Sequence, residues 1–196
     1  DFPDWTYGKT HLLLEWIPKL CAEGILLDVV QALIGPDIVL WDASIPLKPP
    51  QSSGYFGWHQ DGAYWPIEPL EKVVSVWVAL SAVSPLNGGV RMIPGSHQLG
   101  RLAHDKTLDK KSMLRRGQRI AVPVDETKAI DIVLQPGQAS FHHTLMLHGS
   151  GTNRSDTWRL GVVANFAAAD VGPSPGHEES AMSMRGSPQG TRFTLE

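Results

Sequence analysis

Two residues in the first third of the chain have the types and the spacing of metal ligands. His59 and Asp61 are two positions apart, and residues with this spacing on an extended segment project to the same side. One imidazole and one carboxylate are two of the three groups in the 2-His-1-carboxylate triad, which binds Fe(II) on one face and leaves the other positions open. Short His-x-Asp patterns also arise by chance, so a surface turn is the alternative until a second histidine is found.

The second histidine is expected at position 148. A largely apolar run ends at His148, and Gly149-Ser150-Gly151 follows, which is typical of a strand end beside a turn. Arg159 lies eleven residues further on, inside a predicted return strand. A guanidinium pairs with a carboxylate through two parallel hydrogen bonds. An arginine about one strand from a candidate iron ligand is what a bound 2-oxoglutarate would require at its distal carboxylate.

Three other histidines compete for this role. His97 follows a Pro-Gly turn and has no arginine at the distance of a return strand. His142 and His143 lie in the same run as His148, and His142 shares its strand parity. His148 is preferred because it combines the Gly-Ser turn with the spacing to Arg159.

The elements that must position these residues change from helix to strand after residue 35. Apolar residues recur at helical spacing from Lys9 to Ile34, interrupted by Pro18 and Gly24, which predicts two helices packed on the outside of a sheet. Short runs rich in β-formers follow without interleaved helices, which favours an antiparallel sandwich or jelly roll. The predicted strands cover residues 38–41, 73–80, 90–93, 130–134, 139 onward and 160–163.

Further motifs surround the candidate ligands in a consistent order. They are Lys48-Pro49-Pro50, Trp58-His59-Gln60-Asp61, Tyr64-Trp65-Pro66, Asn87-Gly88-Gly89, Pro94-Gly95-Ser96-His97, and His148-Gly149-Ser150 with Arg159. Over residues 36–166 the chain resembles the phytanoyl-CoA hydroxylase (PhyH) family of Fe(II)/2-oxoglutarate-dependent dioxygenases. The resemblance implies a mainly β fold with flanking helices, the cupin-like double-stranded β-helix. It also implies iron held by His59, Asp61 and His148, with 2-oxoglutarate anchored by Arg159 and contacted by Ser150 and Trp77.

The same resemblance implies an enzyme that uses Fe(II), 2-oxoglutarate and O2. It would hydroxylate an unactivated C–H bond of a small organic substrate and release succinate and CO2, with ascorbate as a candidate stimulant. Related halogenases have a small residue at the position of Asp61, so this chain resembles the hydroxylating members. Desaturation, epoxidation and ring formation stay open, because they differ in how the substrate is posed.

Two functions from other classes remain as alternatives. One is a non-oxidative, cupin-like metal enzyme, which would have no need for the Arg159 clamp. The other is a catalytically silent binding module, which is under no chemical demand to keep the candidate ligands. The candidate ligands and the clamp therefore favour the oxygenase.

Candidate substrate contacts come from the aromatic side chains concentrated between residues 52 and 69. Trp58, Tyr64 and Trp65 are predicted to form a pocket wall beside the iron, with a purely structural core role as the alternative. Arg91 could meet a substrate carboxylate, and a surface position is the alternative. Gln60 is assigned to the cofactor site through a supporting hydrogen bond.

Length and composition limit the remaining questions. A chain of 196 residues with 42% hydrophobic residues predicts one compact domain over residues 1–196, which the resemblance implies is an oxygenase domain. Its expected parts are a helical flank (1–35), a jelly-roll core (36–168) and a flexible tail or flap (170–196). The chain starts at Asp1 rather than Met, which indicates trimming at the N-terminus.

Charge and hydropathy argue against a nucleic-acid or membrane protein, and the resemblance implies a small-molecule substrate. The formal net charge of -3 provides no cationic surface for nucleic acid. The sequence has no apolar run near the length that spans a bilayer. The one cysteine suits a reducing compartment such as the cytoplasm. The substrate and the oligomeric state do not follow from composition.

Overall fold

The fold consists of two short helices followed by many short strands. The computed structural model describes residues 8–106, 109–114 and 118–196. The helices are α1 (Trp16–Cys21) and α2 (Gly24–Ile34). The strands are β1 (Ile38–Ser44), β2 (Leu47–Lys48), β3 (Phe56–His59), β4 (Ile67–Glu68), β5 (Val73–Ala79), β6 (Val90–Met92), β7 (His104–Lys106), β8 (Gln118–Ile120), β9 (Ile130–Asp131), β10 (Ala139–His143), β11 (His148–Ser150), β12 (Arg159–Ala168), β13 (Gly172–Pro173), β14 (Ser180–Arg185) and β15 (Thr194–Leu195). None of the helices in these described ranges is long and apolar enough to cross a membrane.

Two sheets enclose a common cavity. The large sheet has the order β10-β5-β12-β1-β14-β15, and β2 pairs with β12. The small sheet has the order β3-β11-β6-β9. Neighbouring strands are antiparallel except for the parallel pair β14 and β15. Side chains of both sheets line the cavity between them, and the prediction of a mainly β jelly roll with flanking helices is confirmed.

The two faces of the large sheet have different partners. Because side chains alternate along a strand, Val76 and Phe166 project to the outer face, while Trp77 and Asn165 project into the cavity. Both helices pack on the outer face, and this apolar core contains Ile17, Leu27, Val30, Ile38, Leu40, Val76, Val162 and Phe166. The helices thus stabilise one face of the sheet and leave the other free for chemistry.

A β-bulge in β1 changes the face that the following residues occupy. Leu40 pairs with Phe166, but Asp42 pairs with Asn165, so Trp41 is the extra residue between them. In a regular strand Leu40 and Asp42 would share a face. Instead, Leu40 lies in the outer core and Asp42 lines the cavity. The bulge therefore turns a carboxylate towards the interior of the barrel.

The segment after residue 170 differs from the flexible tail or flap expected for it. β14 pairs with β1 and extends the large sheet, and β15 pairs with β14. Ala181 and Phe193 are buried in a core cluster with Val39. The segment is rich in Gly, Pro and Ser, yet these few well-placed apolar side chains are enough to cover the edge of the sheet.

The N-terminal flank differs from the predicted helix at residues 8–15, which contain only a 3-10 turn at Thr10–Leu12. Residues 1–7 of the expected helical flank lie outside the described residues.

Candidate active site

His59 and His148 face each other on two neighbouring strands of the small sheet. His59 is the last residue of β3, His148 is the first of β11, and the register pairs them directly. Directly opposed residues have Cβ atoms about 5 Å apart, and the ring centroids of these two lie 4.2 Å apart. Strand pairing thus brings together two side chains that are distant in the sequence.

One nitrogen of each ring is held by a backbone carbonyl. Nδ1 of His59 lies 2.7 Å from the carbonyl oxygen of Gly57, and Nδ1 of His148 lies 2.9 Å from that of Met146. Because a carbonyl can only accept, each Nδ1 carries the proton and each Nε2 keeps its lone pair. Both rings therefore offer Nε2 to a metal ion in a fixed orientation.

Asp61 completes a group with the geometry of a metal site. The backbone stays extended through Gln60, and a 3-10 turn begins at Asp61. Oδ1 of Asp61 lies 3.4 Å from Nε2 of His59 and 3.5 Å from Nε2 of His148, while the Ser75 hydroxyl donates to Oδ2 at 3.1 Å. One ligand atom from each of the three residues lies within 4.8 Å of the others. This separation suits one shared ion.

The electrostatics also suit a cation. Burial alone would raise the pKa of the Asp61 carboxyl, but His148, His142 and His59 hold this pKa well below its ordinary range. Burial and, after it, the neighbouring His59 lower the pKa of His148 to about 3. Asp61 is therefore ionised and His148 neutral near pH 7, which are the protonation states of metal ligands.

The competing histidines occupy two different environments. The run before His148 does not form a single strand, because β10 ends at His143 and a turn precedes β11. His142 lines the cavity, with Nε2 3.8 Å from Oδ2 of Asp61. His143 projects to the opposite side and packs against His97, with ring centroids 5.3 Å apart. His142 is thus a neighbour of the candidate metal site, whereas the other two lie away from it.

Arg159 is positioned to bind an anion inside the cavity. It is the first residue of β12, it is 1% exposed, and its guanidinium lies 5.6 Å from the ring centroid of Trp77. Nη1 has a long hydrogen bond of 3.5 Å to the Pro46 carbonyl. Within the described part of the chain, Nε and Nη2 have no hydrogen-bond partner. Unpaired buried donors are costly, so this guanidinium fits a carboxylate ligand.

Lys48 is a second basic side chain at this end of the cavity, and sequence analysis gave it no functional role. It pairs with Arg159 across β2 and β12, and it is fully buried. Nζ donates to the hydroxyl of Ser150 at 2.6 Å and also contacts the carbonyl of Gly151. Burial, and then the neighbouring Arg159, lower the pKa of Lys48 to about 6. The Lys-Pro-Pro motif gives no local sign of this burial, but a lysine buried beside an arginine calls for an anion.

The cavity has a volume of about 210 Å³ and a mixed lining. Polar groups are present at the candidate metal site and at the arginine, and the walls between them are largely apolar. The apolar wall consists of Pro46, Phe56, Trp65, Trp77, Val90, Met113, Leu114 and Val163. Such a lining can exclude water around a few polar groups that orient a ligand.

Of the four residues predicted to contact the substrate, the structure places one in the cavity lining. Trp65 lines the cavity. Trp58, Tyr64 and Arg91 are not among the described residues that line it. Trp58 alternates with His59 and lies under the Arg91 guanidinium, which forms ion pairs with Glu126 and Asp131 on the outside of the small sheet. Tyr64 packs edge-on against the His104 ring. The structure therefore places these three side chains outside the described cavity lining, and their contact with the substrate stays a prediction.

Gln60 supports neighbouring loops rather than the cofactor. Its side-chain amide donates to the carbonyls of Gly100 and Leu145, both at 2.8 Å, and accepts from the Leu102 amide at 2.9 Å. It is 1% exposed and points away from the cavity, as expected for a residue between two inward-facing ligands. Its predicted assignment to cofactor binding is therefore corrected.

Comparison with known proteins agrees with this geometry. The sequence profile of the family described as phytanoyl-CoA dioxygenase (PhyH) matches residues 13–161. The human peroxisomal phytanoyl-CoA dioxygenase is 28% identical over 155 residues, which are 78% of this chain and 46% of that protein. The chain spans about half the length of the curated phytanoyl-CoA dioxygenases it matches.

Solved structures with the same fold include two that bear on the site. The non-heme monooxygenase ThoJ in its apo form is 35% identical, with a TM-score of 0.86 over 97% of this chain and 69% of that one. EvdO2 from Micromonospora carbonacea var. aurantiaca, solved in complex with 2-oxoglutarate, is 26% identical, with a TM-score of 0.67 over 84% of this chain and 67% of that one. The sequence profile thus identifies the family, and the solved structures share the fold.

Proposed function

The chain belongs to the phytanoyl-CoA dioxygenase family, and on this premise we propose that it is an Fe(II)- and 2-oxoglutarate-dependent oxygenase acting on a small organic molecule. One observation carries the proposal: the His59, Asp61 and His148 cluster shares a cavity with Arg159. A metal site alone would fit many chemistries. The combination with a buried arginine, two of whose donors have no partner among the described residues, fits a metal that works together with a carboxylate co-substrate.

The candidate metal residues fit Fe(II). Two imidazole nitrogens and one carboxylate are the donor set of the non-heme iron triad. The carbonyls of Gly57 and Met146 fix the orientation of His59 and His148. Ser75 holds one oxygen of Asp61 and leaves the other directed at the two histidines.

The cationic end of the cavity would hold 2-oxoglutarate. Arg159 would bind the distal carboxylate through Nε and Nη2, and Trp77 supports the guanidinium from one face. Ser150 lines the cavity, and its hydroxyl accepts a hydrogen bond from Lys48. Ser150 can therefore donate its own proton to the same carboxylate.

Bound iron would supply the redox chemistry that couples decarboxylation of 2-oxoglutarate, giving succinate and CO2, to insertion of one oxygen atom of O2 into a substrate C–H bond. The apolar walls position the substrate and keep water from the reacting atoms. Asp61 occupies the third ligand position, so we propose hydroxylation rather than halogenation. We further propose one oxygenase domain, in a reducing compartment that suits the buried, unpaired Cys21.

Turnover of 2-oxoglutarate without substrate tests this proposal. The protein is incubated with Fe(II), 2-oxoglutarate and O2, and succinate is measured. We expect slow succinate formation that requires both Fe(II) and O2 and is lost in Asp61→Ala. Asp105→Asn serves as the control, because Asp105 is exposed and lies outside the cavity lining. Succinate formation that persists in Asp61→Ala would contradict the assignment.

A further inference from the structure

A row of four polar side chains crosses the inner face of the large sheet. The register pairs Asp42 of β1 with Asn165 of β12, Asn165 with Ser75 of β5, and Ser75 with His142 of β10. Asp42, Asn165 and His142 line the cavity, and Ser75 donates to Asp61. The row therefore leads from the candidate metal site across two further strands. The function proposed above uses only Ser75 from this row.

The far end of the row has one buried acceptor that no described residue satisfies, Oδ1 of Asn165. Asn165 is 3% exposed, and its Oδ1 has no hydrogen-bond partner within the described residues. Its side chain hydrogen-bonds to Asp42, which leaves the Asn165 carbonyl oxygen free to accept. Oδ1 of Asp42 accepts from the Lys9 amide at 2.7 Å. The bulge at Trp41 turns the Asp42 carboxylate into the cavity. Two independent features therefore mark this end of the cavity, the bulge and the buried acceptor of Asn165.

The two ends of the cavity have opposite charge. Arg159 and Asn165 both project inward from β12, six residues apart, which corresponds to roughly 20 Å along a strand. Lys48 pairs with Arg159 at one end, and Asp42 pairs with Asn165 at the other. An anionic co-substrate at the cationic end leaves the acidic end for a ligand of the opposite kind.

We propose that Asp42 and Asn165 form a recognition site for the substrate and that this site takes a protonated amine. The ammonium would donate to the Asp42 carboxylate and to Oδ1 of Asn165, while its hydrocarbon part contacts the apolar wall that includes Trp65 and Leu114. This inference rests on the proposed function for its chemistry, and it adds the class of substrate.

The position of the row also limits where oxidation occurs. Asn165 is one strand away from Ser75, which touches Asp61, and Asp42 is two strands away. With neighbouring strands about 4.8 Å apart, the amine would lie roughly 5 to 10 Å from the candidate metal site. The oxidised carbon is therefore a few bonds from the nitrogen rather than attached to it.

The charge of Asp42 is compatible with this role. Burial raises the pKa of Asp42 to about 6, and the Lys9 amide and ammonium oppose that rise. The carboxyl is therefore ionised at pH 8. The ammonium of Lys9 also lies 3.6 Å from Glu179, so its charge is shared between two carboxylates. Asp42 consequently keeps the capacity to pair with a cation in the cavity.

The test uses three probes with one skeleton: cyclohexylmethylamine, cyclohexylmethanol and cyclohexanecarboxylate. Calorimetric titration at pH 8 measures their Kd on anaerobic protein saturated with Fe(II) and 2-oxoglutarate, so that Arg159 is occupied. We expect the amine to bind about tenfold tighter than the alcohol, because its hydrogen bonds are charge-assisted, and the carboxylate to bind weakest. Asp42→Asn should remove the preference for the amine, since it keeps the shape and the acceptor for Lys9 but not the charge.

Two further variants separate recognition from general damage. Asn165→Ala should weaken the amine and the alcohol by similar factors, because both lose an acceptor. Asp105→Asn makes the same chemical change at an exposed position and should leave all three Kd values unchanged. Failure of the amine to bind, or a preference that survives Asp42→Asn, would overturn the proposal. So would a loss of 2-oxoglutarate affinity in Asp42→Asn, because the row would then hold the co-substrate.

The amine and alcohol titrations are repeated on metal-free protein without 2-oxoglutarate. If the proposed iron chemistry is wrong, the preference for the amine and its loss in Asp42→Asn should still appear here. If the iron chemistry is right and only the substrate class is wrong, succinate formation persists while the preference is absent. The two failures are thus distinguishable.

Discussion

Replacing Arg159 should weaken the binding of 2-oxoglutarate more than any other single change outside the metal ligands. Two of its donors, Nε and Nη2, are buried and have no hydrogen-bond partner in the part of the chain that the structure describes. A hydrogen bond to a charged group contributes about 1.5 to 3 kcal/mol. The free energies of the two hydrogen bonds from Arg159 are not fully additive, because both join the same two groups. We therefore expect a loss of about 3 to 4 kcal/mol in Arg159→Ala, which raises the Kd roughly 10² to 10³-fold. Arg159→Lys keeps the charge but not the planar fork and should lose about half of this free energy.

Anaerobic calorimetry on the Fe(II)-loaded protein measures this loss directly. Arg154→Ala is the matched control, because Arg154 lies five residues away and is exposed. A second control is 2-oxobutyrate, which has the same keto-acid end without the distal carboxylate, so its Kd should change little in Arg159→Ala. An unchanged Kd for 2-oxoglutarate in a folded Arg159→Ala protein would refute this assignment, as would an equal loss for both keto acids.

Three further predictions concern the surroundings of the site. Burial beside Arg159 lowers the pKa of Lys48 to about 6, and a bound carboxylate should raise this pKa again. Binding of 2-oxoglutarate near pH 8 should therefore take up about one proton. Calorimetry in buffers of different ionisation enthalpy measures this uptake. This uptake should fade below pH 6, where Lys48 is already charged, and disappear in Lys48→Met. Gln60→Leu should lower the free energy of unfolding by about 2 to 4 kcal/mol in denaturant titrations, because buried backbone groups lose their partners. The Kd for 2-oxoglutarate should stay within about twofold. A large change in this Kd would return Gln60 to the cofactor site. In Gly161→Ala the new Cβ would lie 2.5 Å from the Trp77 ring, so we expect a loss of about 1 to 3 kcal/mol of stability. Gly151→Ala is the control, because the space around Gly151 is open, and its melting temperature should equal that of the unmodified protein.

Sequence analysis located the candidate site well because the relevant signals are local. His59 and Asp61 are separated by one residue, and His148 precedes a Gly-Ser turn, so residue type and spacing were enough. The mainly β fold class also followed from local patterns, since short runs of β-formers without interleaved helices leave few architectures. That these three residues bind metal stays a prediction until it is measured.

The parts that were missed depend on pairing between distant strands. Trp58 and Trp65 look equivalent in the sequence, but only the structure shows that Trp58 faces outward with Arg91 and that Trp65 faces the cavity. Asp42 was not identified because a regular strand would place it on the same face as Leu40. The bulge at Trp41 reverses that orientation, and hydrophobic alternation does not reveal a bulge.

The role of Lys48 and the order of the final segment were missed for a related reason. A lysine in a Lys-Pro-Pro motif has no local sign of burial, and its position beside Arg159 follows from the pairing of β2 with β12. Ala181 and Phe193 lie in a stretch rich in Gly, Pro and Ser, which on composition alone is typical of a mobile chain end. Their burial depends on an open edge of the large sheet, which a composition-based argument does not include.

The most direct test of the account is an anaerobic titration of the Fe(II)-loaded protein with 2-oxoglutarate, followed by visible absorption. We predict a metal-to-ligand charge-transfer band that requires both components, is absent in His148→Ala, and is unchanged in His177→Ala, where an exposed histidine is replaced. A folded, metal-loaded protein that gives no band, or a band that persists in His148→Ala, would contradict the account.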